Sequence, residues 1–166
     1  MSYLTIFCLW ISIYIGISIP DLDLKLMGIL HHRSIVTHSL LLPLLILAVR
    51  TSITKALVSG IAIGISIHLA ADALSPMRGF ALIYLPEPFK ISIGSWQSQL
   101  WLGVNSLVGG LLAMFLMKNR QILILSSYAV SSVLYAYLNE ENLFVLVPCV
   151  LVLLSMLFIS RVNIAK

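Results

Sequence analysis

Long continuous apolar runs, broken only by short polar stretches, limit what this chain can fold into. Runs at 3–19, 35–49, 56–74, 100–117, 122–138 and 143–160 reach or approach the length of a membrane-crossing helix, which takes about 20 apolar residues, with a range of about 17–25. The run at 35–49 is the shortest and contains Pro43, which is expected to bend it. The runs do not alternate with a period of two, so they read as helices and not as barrel strands. Composition agrees. Of the 166 residues, 60% are apolar and 10% charged, and mean hydropathy is +1.07, whereas a soluble domain carries about 25% charge. These values exclude a soluble globular enzyme, a disordered chain and a disulfide scaffold. The expected fold is an all-α polytopic bundle of six transmembrane helices. It forms one integral-membrane domain over residues 1–166, with a polar half at 15–90 and C-terminal spans at 100–160.

The net charge of +4 comes from basic residues in ones and twos between apolar runs. That is the pattern of loops that set membrane orientation, not of a nucleic-acid patch. If both termini are cytoplasmic, Arg50, Lys55, Lys118, Arg120, Arg161 and Lys166 lie inside. Lys25, Arg33, Arg78 and Lys90 then lie outside, together with all six acids and the connections 20–34 and 75–99. Cys8 and Cys149 both sit in apolar runs and read as packing residues. The first run lacks a basic start and a small-residue cleavage pattern, so it reads as a retained span.

Polar residues are scarce, and their placement carries the functional signal. Every aspartate and every histidine falls between residues 21 and 72: Asp21, Asp23, His31, His32, His38, His68 and Asp72. Singly, each has an ordinary role as a helix cap or as polar glue between helices. Together they are the ligand types of zinc and similar divalent ions. His68 and Asp72 are spaced i, i+4 and share a helical face. Gly60 and Gly64 continue that row and would let a neighbouring helix approach closely. In the six-span topology the clustered groups meet at one depth, near the outer interface.

Three segments follow in order: Ile19-Pro20-Asp21-Leu22-Asp23, then His32-Arg33-Ser34-Ile35-Val36-Thr37-His38-Ser39, then Gly64-Ile65-Ser66-Ile67-His68-Leu69-Ala70-Ala71-Asp72-Ala73-Leu74-Ser75-Pro76. This pattern, over roughly residues 15–90, resembles the YdjM-type family of inner-membrane metal-dependent hydrolases. It is more distantly similar to zinc-dependent phospholipase C and the zinc-dependent single-strand nucleases. The resemblance implies a multi-pass protein of a bacterial or archaeal cytoplasmic membrane. The chain departs from the family in having no histidine near its start and Leu24 where many members carry histidine. It also has fewer ligands than the three-ion soluble relatives, so one or two divalent ions are expected, zinc foremost.

On this resemblance Asp23, His38, His68 and Asp72 are the expected metal ligands. The ion would bring the pKa of a bound water towards about 7 and so supply a nucleophile. Asp21 is expected to orient a ligand or serve as base. His31 and His32 are candidates for proton transfer to the leaving group, and Arg33 suits a phosphate oxygen. Ser39 and Arg78 are candidate substrate contacts, with Lys90 a weaker one. The expected substrate is a membrane lipid, or a lipid-linked molecule, carrying a phosphoester. The loop at 75–99, with Phe80, Phe89, Trp96 and nearby Trp101, reads as a lipid gate or as a passive interfacial anchor. Two other readings of the same cluster stay open: a divalent-cation or proton transporter, and a non-catalytic membrane protein with a structural metal.

Overall fold

The computed structural model describes residues 3–49, 51–74 and 82–164. Arg78, a sequence-predicted substrate contact, lies outside the described residues. The described chain is helical: α1 (Tyr3–Ser18), α2 (Leu22–Lys25), α3 (Leu41–Ile46), α4 (Ser52–Ala73), α5 (Ser95–Leu116), α6 (Gln121–Leu138) and α7 (Leu146–Ile164). Among the described residues four stretches are long and apolar enough to cross a membrane: Ile53–Ala73, Ser95–Leu116, Lys118–Leu138 and Leu143–Arg161. α1 is apolar but shorter, at 16 residues.

α4 is the axis of the bundle. Every residue from 58 to 71 is buried, because small side chains let neighbours close on it from several sides. A Cβ at Gly60 would stand 2.5 Å from the Leu9 carbonyl oxygen. One at Gly64 would meet Ile13 and Gly16, and one at Gly16 would meet the Ile61 backbone. The glycine row therefore does what its spacing predicts, which is to bring two helix backbones into contact. The register of this seam, Leu9 with Gly60 and Ile13 with Gly64, shows that α1 and α4 run parallel.

α5 runs against α4. Ser66 Oγ donates to the Ser106 carbonyl at 2.5 Å and Ser106 Oγ returns a bond to the Ser66 carbonyl at 2.7 Å. These reciprocal bonds satisfy polar groups that would be costly in an apolar interior. α6 runs with α4, since Tyr128 meets Ser66 and Tyr135 meets His68. α7 returns, its Ser160 donating to Gln121 at the start of α6 at 2.6 Å. Tyr3 and Ile164 thus sit at the end of the bundle opposite His68 and Asp72. Large apolar side chains such as Phe115, Ile122 and Phe158 point outward, as they do on a surface that faces lipid.

The second expected span departs most from its prediction. Residues 35–49 do not form one helix: only Leu41–Ile46 is α-helical. The chain must still return to the start of α4, because α1 and α4 are parallel. The Leu40 amide donates to Asn105 Oδ1, next to the Ser66–Ser106 contact. From that level down to Thr51, α4 covers about 22 Å, whereas a straight α-helix from Leu40 to Thr51 covers about 16 Å. After Ile46 the helix gives way to turns at Leu47 and Ala48. Pro43 stands in the first turn of α3, where its missing N–H costs no bond. It opens a short helix instead of bending a long one.

Candidate metal centre

The site is built where α1 ends and α4 ends, and the irregular segment 31–40 is tucked between them. Pro20 stops α1. Asp21 occupies the N-cap position of the one-turn α2 without a side-chain capping bond, which leaves its carboxylate free. α2 turns Asp23 fully inward.

Asp23 organises the segment that follows. Its Oδ2 accepts from the Ser34 amide and from Thr37 Oγ1, both at 3.0 Å, and its Oδ1 lies 3.3 Å from His32 Nδ1. The same Oδ2 is 3.4 Å from His38 Nδ1. The Thr37 hydroxyl has one proton and gives it to an oxygen, so the 3.2 Å contact with His38 Nδ1 has the histidine donating. His38 therefore carries its proton on Nδ1 and presents a bare Nε2. Behind it, Trp101 Nε1 donates to the His38 carbonyl at 2.7 Å.

His68 is oriented in the same sense. Its Nδ1 is 2.9 Å from the Ile17 carbonyl oxygen, which can only accept, so the proton is again on Nδ1 and Nε2 is free. Tyr135 Oη lies 3.3 Å from the same Nδ1 and donates to Glu140 Oε1 at 2.8 Å.

The two free Nε2 atoms face one carboxylate. Asp72 Oδ2 is 3.2 Å from His38 Nε2 and 3.8 Å from His68 Nε2. Asp21 Oδ1 is 3.8 Å from His68 Nε2. Ligand atoms on a tetrahedral ion bound at about 2.0–2.2 Å stand about 3.3–3.6 Å apart; the His38–Asp72 separation is close to that, and the two to His68 Nε2 are a few tenths of an ångström wider. His38 Nε2 and Asp72 Oδ2 are buried and have no hydrogen-bond partner among the described residues. Two buried acceptors facing each other are unfavourable unless a proton or a cation lies between them. His38, His68 and Asp72 form a group able to hold a metal ion. The other Asp72 oxygen accepts from Arg33 Nη2 at 3.3 Å.

Three of the four expected ligands are therefore gathered. Asp23, the fourth, stands behind His38, on its Nδ1 side. Asp21 borders the group instead, half exposed at the open side of the site. Arg33 is tied to Asp72 and adopts a left-handed backbone (φ 59°), which costs a non-glycine residue roughly 1–2 kcal/mol. His32 is held on Asp23 and partly exposed. His31 is turned away to stack on Tyr84, ring centroids 3.8 Å apart. Ser39 is not brought to the site: its hydroxyl donates to the Val36 carbonyl and accepts from the Leu41 amide. Lys90 is paired with Glu87 at 2.8 Å.

Several participants carried no sequence signal. The described part of the 75–99 loop is a buttress: Tyr84 bonds the Arg33 carbonyl through its amide and the Ile35 amide through its carbonyl. Tyr135, with Glu140 behind it, reaches His68 from α6, and Trp101, read from the sequence only as an interfacial aromatic, bonds the His38 carbonyl. The Ile17 carbonyl is invisible to any residue-type reading. No protein-family model, curated protein or solved structure matches the chain.

Proposed function

We propose that this chain is a membrane-embedded, metal-dependent hydrolase that cleaves a phosphoester of a lipid or lipid-linked substrate, as the YdjM-type resemblance implies. The observation that carries the reading is the pair of buried, facing acceptors, His38 Nε2 and Asp72 Oδ2, 3.2 Å apart and without hydrogen-bond partners among the described residues. His38, His68 and Asp72 would hold a divalent ion, zinc foremost, with Asp21 at the open edge. When bound, such an ion supplies the Lewis acidity that makes water nucleophilic near neutral pH.

The chain's own groups have distinct tasks. Asp23 and the Ile17 carbonyl fix the tautomers that leave both Nε2 atoms free. Arg33 holds Asp72 with one nitrogen, and its Nε is buried without a partner among the described residues, so it has a donor left for a phosphate oxygen. Asp21 and His32, the exposed members, are placed to take or deliver a proton at the mouth. Both termini are assigned to the cytoplasm and the site to the outer face, with lysines and arginines enriched at the terminal end of the bundle. Two ions remain within this reading only if Asp21 or Asp23 shifts.

The test is to purify the protein, measure metal per chain, and assay phosphate or headgroup release from a panel of phospholipids, repeating both with His68→Ala and Asp72→Ala. Metal-dependent release lost in both variants supports the reading. A metal-free protein, or release unchanged in the variants, overturns it.

A further inference from the structure

A groove on the described surface ends beside residues that hold the partners of His68. It lies between α1 and α6 and holds about 260 Å³. Buried Ile13 and Ser131 form its floor. Trp10, Tyr14 and Leu134, all exposed, line its walls. Its upper end is made by Ile17, Ser18 and Asn139. Ile17 is the residue whose carbonyl orients His68. Asn139 is followed by Glu140, which accepts from the Tyr135 hydroxyl beside His68. Asp21 follows one turn after Ser18, on the exposed side of the site.

We infer that this groove holds one acyl chain of a phospholipid whose headgroup phosphate is at the metal centre. The inference rests on the hydrolase reading for the headgroup and on the groove itself for the chain. From Ser131 to Asn139 the groove runs about 12 Å along the helix axis. That is close to one leaflet, half of the about 30 Å hydrocarbon core. Its direction is also right, since it descends from the site end of the bundle toward the middle of α6 and α1. Its size selects a chain over a protein segment. A helix of the same length and about 10 Å across would need several times 260 Å³. A second groove, between α3 and α5, borders the centre from the side of the His38 carbonyl, where Trp101 bonds it, and is the competing site in the test.

The probe is phosphatidic acid with a photoactivatable diazirine in mid-chain, incorporated with the full-length, metal-loaded protein into nanodiscs of phosphatidylglycerol. Adducts are mapped by peptide mass spectrometry. Adducts concentrated on Trp10, Tyr14 and Leu134 are expected, falling about tenfold in Ser131→Trp, a loss matching about two buried methylenes. Leu134→Phe, at an exposed position, gives a milder block if Ser131→Trp fails to retain metal. Adducts spread evenly over outward residues such as Phe115 and Phe158, or centred on Leu44 of the other groove, overturn the inference. Phosphate release from the same lipid is measured in parallel. Groove labelling without release keeps the acyl site and removes the hydrolase reading. Release without groove labelling removes the acyl site alone.

Discussion

His38 Nε2 and Asp72 Oδ2 face each other across 3.2 Å, both buried, neither with a hydrogen-bond partner among the described residues. The two residues are far apart in the chain, and the surrounding bonds turn exactly these two atoms inward. A proton or a cation between them would resolve the arrangement; under the proposed function it is the cation.

Removing a ligand should therefore remove the metal. His38→Ala, His68→Ala and Asp72→Ala should each weaken zinc binding by more than about 100-fold, beyond the 10–100-fold typical of outer partners. Metal quantification after dialysis reads this. Chelation should lower the melting temperature of the wild type in detergent, since an ion held at 1,000 times its Kd contributes about 4 kcal/mol. The three variants should not respond to the chelator.

Asp23→Asn should behave differently from a ligand loss. It keeps the shape of the side chain but weakens the acceptor for His38 Nδ1–H, Thr37 and the Ser34 amide. Metal affinity should fall about 10–100-fold without disappearing. An Asp23→Asn protein that binds no zinc at millimolar metal would make Asp23 a direct ligand.

Tyr135→Phe separates the two partners of His68 Nδ1. The Ile17 carbonyl remains at 2.9 Å and still fixes the tautomer, so metal affinity should change less than about tenfold. The loss of the bond to Glu140 should cost about 1 kcal/mol of stability. Isothermal titration and thermal unfolding check the two halves separately.

Gly64→Ala should destabilise the bundle by about 1–3 kcal/mol, because its Cβ would strike the α1 backbone at Ile13 and Gly16. Gly103→Ala is the control: nothing lies within 4 Å of the new carbon, so the helix should gain up to about 1 kcal/mol. Thermal unfolding of both in one detergent gives the comparison.

Orientation is read by cysteine labelling in a background without Cys8 and Cys149. Glu141→Cys, at the site end, should react with an impermeant reagent added outside intact cells. Asn119→Cys, at the opposite end, should react only after the membrane is opened. The reverse pattern would put the site in the cytoplasm.

Much of this was legible in the sequence for one physical reason: polar residues are costly in a bilayer, so where they cluster is informative. The i, i+4 spacing of His68 and Asp72 and the glycine row of α4 are local properties of a helix, and both are realised. The roles of Asp21 and Asp23 were not legible. They are two residues apart, and only the one-turn α2 decides which carboxylate turns inward. The broken second crossing was hidden as well, because hydropathy registers that 35–49 is apolar but not how far it must reach. Tyr135 and Glu140 come to His68 through packing of α6 on α4, which no residue spacing encodes.

The parallel seam of α1 and α4 sets a timetable. Gly16 meets Ile61, and at about 5–20 residues per second of synthesis α1 waits roughly 2–9 s for its partner to be made. Until then the small-residue face of α1 lacks its α4 partner. Asp21 and His38 likewise lack the two α4 residues that complete the group. A nascent chain would therefore hold only one of the three candidate ligands, His38, until α4 brings His68 and Asp72.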